Sequence, residues 1–386
     1  MGIMPAIQDF ADDLVAIRRD LHAHPEIGFE EVRTSDVVAG KLASWGIEVH
    51  RGIGGTGVVG ILQGALGPGR RIGLRADMDA LPIEELTNLP WRSTRPGTMH
   101  ACGHDGHTTM VLGAARYLAE NRNFKGTAIF VFQPAEEGLG GARAMLADKL
   151  FERFPCDEIY GLHNAPYLEP GQVAVWPGEA MAAGDFFDIR IRGAGSHGAM
   201  PQESRDPVVI AGALIGALQT VVSRNTHPLK AAVVSITQVH AGSAYNVVPE
   251  EASLAGTIRT FAPEVRAMVH ERIRTIARGL AVSFGAEIEV DIRTIFNTLV
   301  NHAEPAAAFA EAARDIVGAE NVITEPRPMM GSEDFADMLH QVPGAYCWVG
   351  HSGTVPLHNP SFVLGEEILP VGASLLARIV ERRLAA

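Results

Sequence analysis

Phe186-Phe187-Asp188-Ile189-Arg190-Ile191-Arg192 alternates apolar and polar side chains. That two-residue period belongs to a strand with one buried and one wet face. Pro207 to Arg224 then reads as a strong helix, and Ala231 to His240 and Ser253 to Thr260 alternate again. Pro263 to Leu280 is helical, and Ala286 to Arg293 forms a last strand. The order β-α-β-β-α-β is the ferredoxin-like signature. Residues 184–295 are therefore expected to form a small domain inserted into a larger one.

Outside that segment the pattern changes. Ile7 to Trp45 reads as two amphipathic helices, interrupted at His22-Ala23-His24-Pro25-Glu26, where Pro25 disfavours helical geometry at His24. Apolar runs of strand length follow at Gly57 to Leu62, Arg71 to Ala76, Thr127 to Phe132 and Glu158 to Leu162. Between them His107 to Glu120 is helical, with Met110, Ala114 and Leu118 on one face. Strands alternating with helices indicate an α/β sheet covered on both faces. The pattern resumes near Asn297, with a helix at Ala306 to Ile316 and a C-terminal helix ending in Arg382-Arg383. Residues 1–183 and 296–386 are thus expected to make one α/β domain. A length of 386 residues agrees with two cores.

Composition narrows the function classes. Hydrophobic residues make up 47% and charged residues 20%, as in ordinary globular proteins. A net charge of −13, with no basic run against it, disfavours nucleic acid or an anionic membrane as partner. No apolar stretch reaches the roughly 20 residues of a membrane span. The acidic start, Met1 to Asp13, lacks the basic flank and apolar core of a secretory signal. Three cysteines, Cys102, Cys156 and Cys347, make no obvious disulfide framework and fit a reducing compartment, so a cytoplasmic location is expected.

The chemistry concentrates in His100-Ala101-Cys102-Gly103-His104-Asp105-Gly106-His107, which packs three imidazoles, a thiol and a carboxylate into eight residues. Such donors suit borderline transition metals better than Mg²⁺ or Ca²⁺. A lone Cys or His is more often structural, but this density reverses the bet. Cys102 and His104 are the leading ligand candidates, because a metal secures the thiolate form of Cys102, which can bridge two ions. Glu136 and Glu137 follow a strand, where neighbouring side chains diverge: one carboxylate can bind metal while the other faces the water. A bound zinc ion brings water's pKa to about 7, and a nearby Glu can take its proton and pass it to a leaving amine. By itself the pair is a weak signal, because paired Glu is common in a solvated acidic loop.

Other candidates are weaker alone. His163 directly follows an apolar strand, where ligands gather in open α/β sheets. His358 lies in the proline-framed loop Pro356-Leu357-His358-Asn359-Pro360. Either would ordinarily be a satisfied structural histidine. Arg75-Ala76-Asp77-Met78-Asp79 ends a strand, and its carboxylates either orient ligating imidazoles or serve a plain turn. His197, in the glycine loop Gly193 to Gly198, and Asn246 and Arg259 are polar candidates from the inserted segment. Arg259 could clamp a substrate carboxylate, although sequence alone favours a surface residue for each of the three. Gly52-Ile53-Gly54-Gly55-Thr56-Gly57 satisfies G-x-G-x-x-G, but the β-type run Val58 to Leu62 follows it. A dinucleotide fingerprint requires a helix there, so a turn between strands is expected.

Taken together these segments resemble the M20 metallopeptidase family, in particular its amidohydrolase branch of hippurate hydrolases, N-acyl-amino-acid deacylases and auxin-conjugate hydrolases. The resemblance spans nearly the whole chain. It runs through Arg18 to Glu26, Arg75 to Pro82, His100 to His107, Phe132 to Gly138, Ser196 to Pro201, Asn246 to Pro249, Gly331 to Phe335 and His358 to Pro360. It implies a catalytic domain with a mixed sheet and an inserted lid and dimerisation domain. It also implies two divalent metal ions, Zn, Mn, Ni or Co, on Cys102, His104, Glu137, His163 and His358, with Cys102 bridging. Glu136 would be general base and then acid. His197, from the neighbouring subunit of a homodimer or larger homo-oligomer, would stabilise the oxyanion. Asn246 and Arg259 fall in motifs linked to the substrate carboxylate. The broader family's His-x-Asp motif is Asp77-Met78-Asp79 here, and Cys102 stands for its bridging carboxylate, as in the amidohydrolase branch. The implied reaction is hydrolysis of N-acyl amino acids. A dipeptidase or aminopeptidase on the same scaffold is the nearest alternative, and a non-catalytic metabolite- or metal-binding protein is the alternative from another class.

Overall fold

The computed structural model describes residues 2–385. They form two compact units. The first comprises residues up to Ala180, Val300–Arg327 and the chain from Asp334 onward; the second comprises Met181–Leu299 and Pro328–Glu333.

The first unit is built on an eight-stranded sheet. Its spatial order is Glu48–Ile53, Gly57–Gln63, Gly126–Gln133, Arg70–Asp77, Glu158–Ala165, Gly344–Gly350, Val173–Ala174 and Val322–Ile323. Arg70–Asp77 runs parallel to both Gly126–Gln133 and Glu158–Ala165, and Gly344–Gly350 is parallel to the latter. The first two strands pair antiparallel, so the sheet is mixed. Gly126–Gln133, Glu158–Ala165 and Gly344–Gly350 are buried at every position. This follows from helices covering both faces, and it explains their continuous rather than alternating apolarity. Helices Ala11–Ala23, His104–Glu120, Ala303–Val317 and Ile368–Arg383 supply Leu14, Leu21, Met110, Leu118, Phe309, Leu376 and Ile379 to one core with Ile72, Leu74, Phe130 and Tyr160.

The glycine run at 52–57 joins Glu48–Ile53 to Gly57–Gln63 as a hairpin, with Gly54 and Gly55 at φ +65° and +102°. No helix follows it, as expected from its β-type continuation. The strands Glu48–Ile53 and Gly344–Gly350 lie beyond the elements read from periodicity.

The second unit is built on a four-stranded sheet and two long helices. Its sheet order is Ala232–Ala241, Glu251–Thr260, Ala183–Arg192, Glu287–Phe296, with every neighbouring pair antiparallel. In chain order this is the ferredoxin-like β-α-β-β-α-β arrangement. Phe187, Ile189, Ile191, Leu214, Leu218, Ile258, Val269 and Ile273 form its core. Helix Pro207–Thr220 starts where Asp206 Oδ1 accepts from the amide of Val208 at 2.8 Å, with Pro207 opening the first turn. By length and composition Pro207–Asn225 is long and apolar enough to cross a membrane, against the expectation that no apolar stretch reaches a span. Its Ile210, Leu214, Leu218 and Val221 are instead buried in this core. Pro328–Glu333 returns to this unit: the amide of Ala182 donates to the carbonyls of Met329 and Gly331 at 3.0 and 2.9 Å.

Candidate metal centre

Three parallel strands of the first unit end side by side, and the candidate donors follow those ends. Asp77 ends one and Asp79 follows it, Glu136 and Glu137 follow the second, and His163 stands near the end of the third. This is the carboxyl edge where open α/β sheets bind ligands.

The Cys102 loop meets that edge through a glycine. Gly103 is the N-cap of helix His104–Glu120 at φ +88°, and a Cβ there would lie 2.4 Å from Asn164 Nδ2. Only glycine fits both the left-handed backbone and the contact. The helix accordingly begins at His104, three residues earlier than periodicity suggests, and Asn164 Nδ2 donates to the Cys102 carbonyl at 2.6 Å. Two further residues near the site take the left-handed conformation without being glycine: Ala135 at φ +54° and His358 at φ +63°. Such backbone costs about 1–2 kcal/mol per residue, so surrounding contacts must hold it.

The donors converge in overlapping groups whose ligand atoms lie within 4.8 Å of one another: Cys102 with His104 and His163, Cys102 with Glu137 and His358, and His104 with Glu136 and Glu137. Cys102 Sγ is 3.4 Å from His163 Nε2, and Glu137 Oε1 is 3.2 Å from His358 Nε2 and 3.9 Å from His104 Nε2. His104 Nε2 and Glu137 Oε1 are buried and have no hydrogen-bond partner outside the cluster. Buried polar atoms are normally paired. Buried donor atoms whose near neighbours are other candidate ligands are what a cation between them requires, so these residues fit a divalent metal site.

Hydrogen bonds behind the donors orient them. His104 Nδ1 lies 3.2 Å from Asp79 Oδ1, and the other oxygen of Asp79 accepts from the Glu137 amide at 3.0 Å. His163 Nδ1 donates to the Asn164 carbonyl at 2.7 Å. Both imidazoles thereby present Nε2, the usual arrangement behind a metal. His107 differs. Its Nε2 accepts from the Asn164 amide at 3.0 Å, so Nδ1 donates to Asp77 Oδ1 at 2.7 Å and no lone pair remains for a metal. His100 joins none of these groups; both its ring nitrogens are buried without a hydrogen bond, and burial lowers its pKa to about 4. The run His100 to His107 is thus split three ways, between converging donors, a supporting imidazole and an enclosed one.

Electrostatics follow from burial and crowding. Burial, then the charge of Glu137, raises the Cys102 thiol above its ordinary value. Hydrogen bonds to Cys102 and Glu137 push His358 up to about 10. Burial opposes charge on His104, but Asp77 and Cys102 carry it well above the usual imidazole value. Burial likewise opposes charge on Asp77, yet His104, His107 and Arg75 hold it well below the carboxylate range. Without a cation the cluster holds protons that metal ions would displace.

Asn164 is a functional residue that sequence reading missed. It bonds the Cys102 loop and His107 and accepts from His351 Nε2 at 3.1 Å. No spacing rule marks it; adjacency to His163 is the only signal.

The three candidates of the second unit are placed within that unit. Ser196–His197 pairs antiparallel with Val247–Val248, and the Gly198 amide donates to the Asn246 carbonyl at 2.8 Å, so His197 and Asn246 are neighbours. His197 is exposed, and its Nδ1 accepts from the Ala199 amide at 3.0 Å, which leaves Nε2 outward. Arg259 stands on the sheet between Val233 and Gly184, bonded to the Ile258 carbonyl and the Thr257 hydroxyl.

Comparison with known proteins agrees with this architecture. The chain is 41% identical over 379 residues to a hippurate hydrolase of Campylobacter jejuni, covering 98% of both chains. It is 42% identical over 372 residues to an N-acetylcysteine deacetylase of Bacillus subtilis, covering 96% of both. A solved Bacillus subtilis structure, described as a dinuclear metal binding peptidase from the M20 family, superposes with a TM-score of 0.84 at 39% identity, covering 98% of this chain and 99% of that one. Residues 73–382 match the profile of peptidase family M20/M25/M40, and the chain belongs to that family.

Proposed function

We propose that this protein is a metal-dependent amidohydrolase that cleaves the amide of N-acyl amino acids, releasing a carboxylic acid and a free amino acid. The observation that carries the reading is the convergence of Cys102, His104, Glu137, His163 and His358 beside Glu136, in a chain about 40% identical to a hippurate hydrolase and an N-acetylcysteine deacetylase. In this reading the five converging residues would hold two divalent ions, and Cys102, common to two of the donor groups, would be the shared ligand. Zn, Mn, Ni and Co all suit a mixed sulfur, nitrogen and carboxylate set. Such ions supply Lewis acidity to a scissile carbonyl and acidify water.

The chain's own residues do the rest. Glu136, buried at the rim of the cluster, takes a proton from the attacking water and delivers it to the leaving nitrogen. His197 offers its outward Nε2 to the developing oxyanion of a substrate held by the partner subunit. Asn246 and Arg259 bind the substrate carboxylate, Arg259 by a two-pronged contact. The inserted unit serves as lid and dimerisation surface, a role supported by the exposed apolar Val208, Val209 and Val239. Free thiols at Cys102, Cys156 and Cys347 support a cytoplasmic location.

The test is turnover of benzoylglycine, N-acetylcysteine and N-acetylglycine beside a free-amine dipeptide, after chelation and add-back of each metal. The expected result is metal-restored hydrolysis of the N-acyl substrates over the dipeptide. Preference for the dipeptide would move the assignment to a peptidase, and metal binding without turnover of any amide would leave a binding protein.

A further inference from the structure

The loop that carries Glu136 is held by a residue more than a hundred positions away. Glu31, wholly buried at the N-cap of helix Val32–Ser44, accepts from the amide of Ala135 at 2.8 Å. Its second oxygen accepts from the Thr56 hydroxyl in the hairpin region. Ala135 is left-handed, and its carbonyl accepts from the Gly141 amide at 3.0 Å. On the far side of Glu136, the Glu137 amide is taken by Asp79 at 3.0 Å, and the Glu136 carbonyl accepts from the Gly138 amide at 2.6 Å. The amides flanking Glu136 are therefore each gripped by a buried carboxylate. Gly28 closes the grip: a Cβ there would lie 2.9 Å from both Cα and Cβ of Ala135.

A carboxylate buried in an otherwise apolar setting is costly unless something compensates it. Burial, the largest effect, raises the Glu31 pKa, and the charge of Asp79 adds to that rise. The Glu31 carboxylate's hydrogen bonds serve neutral donors: the Ala135 amide, the Thr56 hydroxyl and its own backbone amide. What it does secure is an alanine in a conformation alanine disfavours, directly before Glu136.

We infer that Glu31 is a positioning residue, which locks Ala135 in the left-handed conformation and thereby aims the Glu136 carboxylate. The inference rests on Glu136 being the proton-transfer residue. Misplacing a reacting group by about 1 Å can cost about 100-fold in rate. Glu31→Ala is accordingly expected to lower kcat on benzoylglycine about 10- to 100-fold, with KM little changed and metal stoichiometry retained. Glu31→Gln keeps an oxygen for the Ala135 amide and a group that can bond Thr56, so it should restore most of kcat. Gly28→Ala presses a methyl on Cα and Cβ of Ala135 and should lower kcat with metal retained. Should Glu31→Ala fail to fold by circular dichroism, Gly28→Ala decides alone. Parental kcat in Glu31→Ala, equal loss in Glu31→Gln, or loss that tracks metal content would each overturn the inference. Glu136→Gln is assayed in parallel. If it retains parental turnover the base assignment fails, whereas an inactive Glu136→Gln beside a fully active Glu31→Ala removes only the role given to Glu31.

Discussion

The amide of His358 donates to the carbonyl of Ala101 at 2.8 Å, so the loop bearing one candidate ligand is tied by backbone to the residue before another, Cys102. Two stretches more than 250 residues apart thus approach the cluster as one piece, and the left-handed His358 is held where its Nε2 meets Glu137.

That proximity has a pH consequence. Cys102 and Glu137 push His358 up to about 10, so the bare cluster keeps a proton there that a cation must displace. Metal affinity is therefore expected to rise with pH between about 6 and 8, with proton release on binding. Calorimetry in two buffers of different ionisation enthalpy checks this; identical heats and a flat pH dependence would contradict it.

Asp79 bridges His104 Nδ1 and the Glu137 amide, one on each of its oxygens. Removing such a support typically costs about 10- to 100-fold in metal affinity or activity. Asp79→Ala should fall in that range in a competition titration with a chromophoric chelator, with the fold intact by circular dichroism.

Gly103→Ala tests the loop geometry. Its methyl would meet Asn164 Nδ2 at 2.4 Å on a backbone at φ +88°. The expected loss is about 1–3 kcal/mol of stability together with weakened metal binding, read by chemical denaturation with and without metal. Unchanged stability in both forms would show that the loop has another accessible path.

In the second unit Asp185, fully buried, accepts from Arg266 Nε at 3.0 Å and lies 2.7 Å from His270 Nε2. Burial opposes its charge, but His270 and Arg266 prevail and its pKa is lowered. A carboxylate with a depressed folded-state pKa stabilises above its unfolded value of about 3.9, and that stabilisation is lost as pH falls through the folded value. Asp185→Asn should lower the melting temperature at neutral pH and flatten its decline below about pH 4, where the parental protein loses the same interaction.

The sequence was most legible where periodicity is local. The alternation of Phe186 to Arg192 and the helices that follow lead directly to the four-stranded unit, and the continuous apolar runs lead to the central strands of the mixed sheet. Glu48–Ile53 was missed because its largely polar side chains carry no apolar period, and Gly344–Gly350 because it is a short run that begins and ends in glycine. At the cluster, donor density identified Cys102 and His104, while His163 and His358 entered through resemblance. Neither spacing nor composition could separate His107, which has both nitrogens engaged, from His104, which has one open. That distinction depends on Asn164 and Asp77, which only the folded chain brings alongside.

The central claim is a pair of cations spanned by the sulfur of Cys102. Anomalous scattering from zinc-soaked crystals tests it most directly. Two peaks are expected, each about 2.3 Å from Cys102 Sγ, one toward His104 or His163 and the other toward Glu137 or His358. Peaks elsewhere, with none beside that sulfur, would contradict the account.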